Sequence, residues 1–388
     1  MVKKLYYTKA LLRTEVEKCL HCQNKPCKRA CPVGCDPQFF IQKVKEHDFV
    51  SAAKSIREKN PLGEICGLVC PSKLCMRACL RSKIDHPINI PKIQATILAD
   101  TPSDDFSVFE MKAEKIAVVG AGPAGIGAAV TLVKNGFSCT LFEKNEKIGG
   151  MLNLIPSSRL PLSVIDKEMK NILSMPLLQV QTNVDIKDPV RLLHEGYDYV
   201  ILATGEGLVR KLNIPGEEYA ISWIDFLNQS KAFQKVKKVA VIGGGNVAHD
   251  CAKVLKEIGV HSVEMFVRRP LFMMKVEKEK IAELIDNQIN LHPNMAPVKI
   301  EKNNTGFVVV ASRTMMKNDK LIKTKEFCSY DGFDLIIKAT GGSADKKVTH
   351  HEVFYAGDCK LHASSVVEAL ADGIQTAHKI IDPLLNKK

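Results

Sequence analysis

Apolar residues in this chain fall into short runs separated by glycine turns and helical periods, and two long stretches repeat one order. From Lys115 to Lys144, an apolar run (Ile116 to Val119) breaks at Gly120-x-Gly122-x-x-Gly125. A helix-like segment continues to about Lys134, and a second apolar run ends in Glu143. From Lys237 to Arg269 the strand–turn–helix–strand order returns around Gly243-x-Gly245-x-x-Ala248, and its second apolar run ends in Arg268-Arg269. Short apolar runs bounded by turn signals and followed by helical periods are the pattern of buried strands in βαβ units.

The remaining pattern fills in around these two units. Pro37 to Lys59 reads as helix, with apolar residues every three to four positions at Phe40, Val44, Phe49, Ala52 and Ile56. Thr101 to Glu114 is polar and turn-rich, a linker. Leu162 to Leu173 predicts a helix, with a short strand near Val180 and another from Tyr197 to Ala203, ending in Ala203-Thr204-Gly205. Between Leu291 and Phe327 the runs are β-rich (Gly306 to Ala311, Lys320 to Glu326). Asp334 to Thr340 leads into a second Ala-Thr-Gly turn at Gly341, followed by Gly342. A strand over Val353 to Asp358 and a helix-like Ser364 to Ile381 follow.

Each residue type in the first glycine turn has a use if a dinucleotide binds there. Gly120 permits the tight turn, Gly122 lets the backbone approach a pyrophosphate, and Gly125 brings helix and strand together. The helix N-terminus presents free N–H groups and partial positive charge to phosphates. Glu143 stands where an acid hydrogen-bonds a ribose hydroxyl. Gly150 and Arg159, in the run that follows, are counted with this cofactor site. In the second unit, Gly243, Gly245 and Ala248 repeat the turn. Arg268 and Arg269 suit a 2′-phosphate, which guanidinium groups bind by charge-assisted hydrogen bonds and an acid would repel, so NADPH is favoured over NADH. Gly357-Asp358, at a strand end before a helix, adds a carboxylate near a bound cofactor.

With 388 residues the chain has room for two or three cores. Its 45% apolar and 25% charged content is that of a soluble globular protein. No apolar run approaches the roughly 18–20 residues of a membrane span, and the first residues lack the apolar core of a secretory signal. The expectation is a cytoplasmic protein without membrane contact. The formal charge of +12 comes from lysines spread along the chain, without basic–aromatic alternation or zinc-finger spacing. No nucleic acid partner is expected. The charge reads as a solvated lysine-rich surface, with docking of an acidic partner protein as its other use.

Cysteine changes the picture most. Nine of thirteen cysteines fall between Cys19 and Cys79. Cys19, Cys22, Cys27 and Cys31 are spaced C-x2-C-x4-C-x3-C with Pro32 after the last, and Cys66, Cys70, Cys75 and Cys79 form a second block. Such clustering points to metal or iron–sulfur ligation, and a Cys-Pro after a fourth thiol is a ferredoxin habit. Only one C-x2-C occurs and the thiols are too many for one closed zinc site. Disulfides do not suit the expected compartment. Cys139, Cys251, Cys328 and Cys359 contain no C-x-x-C pair, which argues against a dithiol reductase of the thioredoxin-reductase type.

The fold class read from these patterns is α/β. A small all-helical bis-[4Fe–4S] domain over 1–105 precedes two Rossmann-like nucleotide-binding domains, the second inserted in the first. The flavin domain is set at 112–230 and 345–388, and the nicotinamide domain at 231–344.

Over nearly its whole length, from Cys19 to Ala377, the chain resembles the electron-input module shared by dihydropyrimidine dehydrogenase and the small subunit of glutamate synthase. The pyrimidine branch is favoured by Asn60-Pro61-Leu62-Gly63, the CGLVCP block, Ile88-Asn89-Ile90-x3-Gln94, and Val367-Glu368 through Asp372-Gly373. The resemblance implies that Cys19, Cys22, Cys27 and Cys79 hold one [4Fe–4S] cluster. It implies that Cys31, Cys70, Cys75 and the Gln94 amide oxygen hold the other, with Cys35 and Cys66 as bystanders. FAD would lie on the Gly120 turn, Glu143 and Asp358, and NADPH on the Gly243 turn and the arginines. One departure is the connection from Gly342 to Gly357, shorter than the family's, so a strand of the closing region is expected to be missing. No residues remain for the FMN-binding barrel of the dehydrogenase.

The expected activity is hydride uptake from NADPH onto FAD, with single electrons passed through the two clusters to a protein acceptor. That acceptor would be an FMN-containing catalytic subunit in a hetero-oligomer. No catalytic side chain is required. The alternatives are a glutamate synthase small subunit, a ferredoxin-type NADPH diaphorase and, from a different class, a non-catalytic binding subunit.

Overall fold

A computed structural model of the chain describes residues 5–102, 110–343, 348–361 and 364–385. Two compact units are present: Met1–Glu206 with Ala344–Lys388, and Gly207–Ser343.

The first unit opens with six helices: α1 (Lys9–Glu17), α2 (Pro26–Arg29), α3 (Pro37–Lys45), α4 (Phe49–Lys59), α5 (Gly63–Val69) and α6 (Ile90–Asp100). Thr8, Asp36, Asp48 and Asn89 each cap a helix by accepting the N–H three residues on. The single helix read over Pro37 to Lys59 is two. The chain turns at His47, whose φ is 61°, and Asp48 restarts the helix by accepting the Ser51 N–H at 3.0 Å. Phe40, Ile41, Val44, Ala52 and Ile56 still share one core with Ile93 and Ile97, so the periodicity survives the break. Of the linker read at Thr101 to Glu114, residues 103–109 lie outside the described residues.

The sheet of this unit follows. Its elements are β1 (Lys115–Val119), α7 (Pro123–Lys134), β2 (Ser138–Phe142), α8 (Leu162–Leu173), β3 (Leu178–Gln181), α9 (Val190–His194) and β4 (Tyr199–Leu202). The six helices have a core of their own, and the α5 region also joins that of the sheet. Leu62, Ile65 and Cys66 of the α5 region are buried in one cluster with Val118, Ile126, Leu141, Ile165 and Leu370.

In the second unit come β5 (Leu208–Val209), β6 (Ala220–Ser222), α10 (Trp223–Asn228), β7 (Lys238–Ile242), α11 (Asn246–Glu257), β8 (Ser262–Val267), α12 (Lys278–Asp286) and β9 (Asn290–Pro293). An antiparallel sheet of β10 (Met295–Asn303), β11 (Gly306–Lys317) and β12 (Lys320–Phe333) follows, then β13 (Leu335–Lys338) and β14 (Gly342–Ser343). Strands β11 and β12 outrun the apolar runs that suggest them, because charged residues such as Arg313 and Lys323 extend the pairing on an open face. Residues 207–230 belong to this unit through β6, which pairs with β13, whereas the sequence pattern sets its start at 231.

The chain returns to the first unit as β15 (Val353–Tyr355), α13 (Asp358–Leu361) and α14 (Val366–Leu385). The first sheet is parallel with order β15-β4-β1-β2-β3, and the second is parallel with order β6-β13-β7-β8-β9. Strand order reverses at β1/β4 in the first sheet and at β7/β13 in the second, and such switch points are where open α/β sheets bind ligands. No helix among the described residues is long and apolar enough to cross a membrane.

Candidate cofactor sites

The cysteines of the two sequence blocks interleave into two groups. Cys19, Cys22, Cys27 and Cys79 line one cavity together with Lys25 and Arg81. Cys31, Cys35, Cys66, Cys70 and Cys75 are electrostatic neighbours in a second group, which adjoins the first through Cys27 and Cys75. Among the described residues no three of these sulfurs come within 4.8 Å of one another. A tetrahedral zinc with bonds of about 2.3 Å would hold its sulfurs about 3.8 Å apart.

Burial pushes the Cys27 thiol up to about 11 and Cys75 up to about 12, so without a compensating cation these sulfurs stay protonated. Bound iron supplies that compensation. Cys31 moves the other way. The Cys35 thiol bonds it and lowers its pKa, burial opposes, and the N–H groups of Cys35, Val33 and Gly34 add to the lowering. That is a nest for a thiolate. Gln94 is buried on α6, and its amide nitrogen donates to Gly63 O at 2.6 Å. Gly63 begins α5, whose last turn carries Cys66 and Cys70. Lys73, between Cys70 and Cys75, pairs with Glu368 of α14 at 3.5 Å.

The nucleotide turns stand at the carboxyl ends of their strands. Gly120 has φ 101°, and a Cβ there would lie 2.5 Å from Ala203 O. A Cβ on Gly125 would lie 1.8 Å from Gly120 O, so only glycine lets α7 sit on this strand. Gly122 is different: its added Cβ would meet nothing within 4 Å, and it caps α7 without a side-chain bond. Open space over an uncapped helix N-terminus is the cradle a pyrophosphate needs. Gly150 closes one side, 3.0 Å from Gly122 Cα if given a Cβ. Glu143 is buried, accepting Ala121 N–H at 3.0 Å and the Asn145 N–H and side-chain amide at 2.9 and 2.8 Å. These bonds fix the carboxylate and leave it acceptor capacity.

Further around the edge, Gly357 N–H donates to Asp372 at 2.8 Å, and Asp358 accepts the Ser364 N–H at 3.0 Å. Arg159 is half-buried, its N–H bonded to Pro156 O at 2.8 Å. Within the second unit, Gly243 approaches Ala339 O as Gly120 does Ala203 O, at 2.2 Å for an added Cβ. Gly245 again opens onto empty space at the uncapped start of α11, and Ala248 is buried behind it. Arg268 is exposed and Arg269 half-buried after β8, and among the described residues neither guanidinium has an ion-pair or hydrogen-bond partner. Both sites fit their nucleotides.

Residues 114–379 match the family described as pyridine nucleotide-disulphide oxidoreductase. The chain belongs to this family. Residues 2–104 match the family described as dihydropyrimidine dehydrogenase domain II, 4Fe-4S cluster. As a pyridine nucleotide-disulphide oxidoreductase with that added domain, the chain is an FAD- and NAD(P)H-dependent oxidoreductase of 4Fe–4S type. The NAD-dependent dihydropyrimidine dehydrogenase subunit PreT homolog of Salmonella typhi is 31% identical, over 96% of this chain and 94% of that protein. The glutamate synthase [NADPH] small chain of Halomonas elongata is 30% identical, over 77% and 68%. Mycobacterium tuberculosis FprA in complex with NADPH superposes with TM-score 0.62 at 18% identity, over 71% of this chain and 85% of that one, a likeness of fold.

Several residues at these sites escape a reading of the motifs. Ala203 and Ala339 press on the first glycine of each trio, and the repeated Ala-Thr-Gly was the available signal. Asp372, which accepts Gly357 N–H and pairs with Lys360, had only an Asp-Gly dipeptide to mark it. Glu168, whose carboxylate reaches the start of α5, had no signal beyond its place on a helix. Of the connection from Gly342 to Gly357, residues 344–347 lie outside the described residues.

Proposed function

We propose that this chain is the NADPH-oxidising, electron-input subunit of a hetero-oligomer, feeding an FMN-containing dihydropyrimidine dehydrogenase subunit through two [4Fe–4S] clusters. The observation that carries the reading is the order of sites within the first unit. Cys66 and Cys70 of the second thiol group pack against the core of the flavin-type sheet, Cys31, Cys35 and Cys75 lie with the helical core, and the group around Cys19 opens as a cavity among the N-terminal helices. In this reading the Cys70 group receives electrons from the flavin and the Cys19 group hands them on.

Bound flavin supplies two-electron uptake and one-electron release, and each iron–sulfur cluster takes a single electron. The chain's residues do the holding. Gly122 and Gly150 leave room for the FAD pyrophosphate, Glu143 offers its remaining lone pairs to a ribose, and Arg159, Gly357 and Asp358 complete the edge. Gly243, Gly245 and Ala248 do the same for the nicotinamide nucleotide. Cys19, Cys22, Cys27 and Cys79 ligate one cluster, and Cys31, Cys70, Cys75 and Gln94 the other. Arg268 and Arg269 support NADPH, although the PreT relatives are named NAD-dependent.

The test is anaerobic purification followed by NADPH addition. The expected result is about eight iron atoms and one FAD per chain, with bleaching of the flavin band before cluster reduction. Zinc in place of iron, or a flavin that NADPH leaves oxidised, would overturn the proposal. The similarity to glutamate synthase small chains keeps a glutamate-forming acceptor as the second reading. Supplying each acceptor subunit in turn separates the two.

A further inference from the structure

The loop after β8 rests on the second glycine turn at both of its ends. Val267, the last residue of β8, stands so close to Gly244 that a Cβ added there would lie 2.7 Å from Val267 Cγ1. At the other end Lys275 pairs with Gly245 in an isolated parallel bridge. Residues 268–274 therefore leave the turn and return to it. The loop is also fastened along its length. Arg268 O accepts the Thr314 hydroxyl at 2.6 Å, and Arg269 O accepts the Asn294 N–H at 3.3 Å. Met273 N–H donates to Pro270 O at 2.9 Å, Met274 N–H donates to Leu271 O at 3.1 Å, and the Met274 side chain is buried. Past the loop, Lys280 of α12 donates to Oδ1 of Asn246, the first residue of α11, at 2.8 Å.

One side chain on this fastened loop is left to solvent. Phe272 is 86% exposed, the highest value for a large apolar side chain among the described residues. A single exposed apolar residue is ordinary on a protein surface. What sets Phe272 apart is its place, three residues past Arg269 on a loop whose ends meet the nucleotide turn.

The chemistry of the nucleotide decides what that ring meets. The pyrophosphate belongs over the open start of α11, and a 2′-phosphate at Arg268 and Arg269. That phosphate and the adenine ring sit on adjacent carbons of one ribose, so a loop that holds the first reaches the second. Aromatic side chains stack on the faces of bases, an attraction open to every base because each has a π-face. We propose that Phe272 is the platform for the adenine ring of the nicotinamide dinucleotide, stacking on one face of the base. NADPH and NADH share that ring, so Phe272 supports both, whereas the arginines select between them. The inference rests on the nucleotide site proposed above, and its test keeps the two apart.

The experiment uses the whole chain, purified anaerobically with its cofactors, as Phe272→Ala, Phe272→Tyr and Phe272→Leu. KM is measured with ferricyanide for NADPH, NADH and reduced nicotinamide mononucleotide, which lacks adenine. Calorimetry gives the Kd of adenosine 2′,5′-bisphosphate, which has adenine but no nicotinamide. Phe272→Ala should raise both dinucleotide KM values and the bisphosphate Kd about tenfold, the size of one lost base stack. The mononucleotide KM and the melting temperature should stay as in the unaltered chain. Phe272→Tyr should keep the affinity, and Phe272→Leu, apolar but without a π-face, should not. Unmoved dinucleotide KM values and bisphosphate Kd would overturn the proposal, and so would a mononucleotide KM that rises equally. Unmoved values with failing transfer to a supplied FMN subunit would overturn it too, assigning the ring to protein docking. Gly245→Val fills the space over α11, so unimpaired NADPH turnover in that variant would overturn the nucleotide site itself.

Discussion

The Glu168 carboxylate accepts the backbone N–H of Glu64 at 2.7 Å, and that of Ile65 at 3.2 Å with its other oxygen. A side chain of α8 thus caps α5, which has no capping side chain of its own. Glu64 is tied down as well, by the Tyr6 hydroxyl at 2.8 Å and by Lys167. The helix bearing Cys66 and Cys70 is fastened to the flavin-type fold at one end while its thiols stand at the other.

Burial of Glu168 has a pH signature. It pushes the carboxyl up from its ordinary 4.5 to about 8, with the two N–H groups opposing. The folded pKa lies above the unfolded one, so the contribution to stability is full below about 4.5 and is lost as pH rises through about 8. Thermal denaturation at pH 6 and 8.5 should show the unaltered chain less stable at the higher pH. Glu168→Gln should remove this part of the difference, at a cost of about 1–3 kcal/mol for the helix N–H left without an acceptor. An undiminished pH difference in the Gln variant would assign the titration elsewhere.

The first glycine turn makes a sharper contrast, because two of its glycines are glycine for different reasons. A methyl on Gly125 would overlap the Gly120 carbonyl, while one on Gly122 would meet nothing and suits that residue's extended backbone. Gly125→Ala should lose about 1–3 kcal/mol or more through overpacking. Gly122→Ala should melt within about 0.5 kcal/mol of wild type yet bind little flavin, because its methyl takes pyrophosphate space. Melting temperature and flavin absorbance read both effects. Equal flavin content in Gly122→Ala and the unaltered chain would mean that the pyrophosphate lies elsewhere.

These contrasts show what the sequence could carry. The period of the apolar runs placed β1, β2, β7 and β8 because each is a continuous apolar strand buried on both faces. It missed the break at His47, where the apolar period continues through a turn held by Asp48. It also fell short on β11 and β12, whose open-face charges look like turn residues. Cysteine spacing implied iron–sulfur chemistry but not the grouping, because Cys79 joins Cys19 across sixty residues that spacing cannot fold. Only resemblance supplied that pairing.

Nucleotide choice turns on the two arginines after β8. Among the described residues neither guanidinium has a protein partner, so removing them should disturb little besides a bound nucleotide. Replacing Arg268 and Arg269 by Ala should raise the KM for NADPH and leave that for NADH nearly unchanged. Each lost charge-assisted contact with the 2′-phosphate should cost about 1.5–3 kcal/mol. Equal changes for the two nucleotides would show that the arginines do not touch the phosphate, in keeping with the NAD-dependent names of the PreT relatives.

The routing of electrons separates an input subunit from a plain diaphorase. A diaphorase needs only flavin and nicotinamide sites, so its rate with a small dye does not depend on thiolates among the N-terminal helices. An input subunit must send each electron on through the clusters. Cys70→Ala removes one proposed ligand at the end of α5 and touches neither glycine turn. NADPH–ferricyanide activity should therefore persist in this variant. NADPH-driven reduction of uracil or thymine by a supplied FMN subunit should fall to background, because the cluster facing the flavin-type core is lost. Electron paramagnetic resonance on the same preparation confirms which cluster is missing. Undiminished coupled turnover without that cluster would take it off the path. Loss of both activities would show that α5 and its thiols are needed for the flavin-type fold itself, as the burial of Cys66 in the shared core allows. Flavin content and melting temperature of the variant distinguish that outcome from a broken relay.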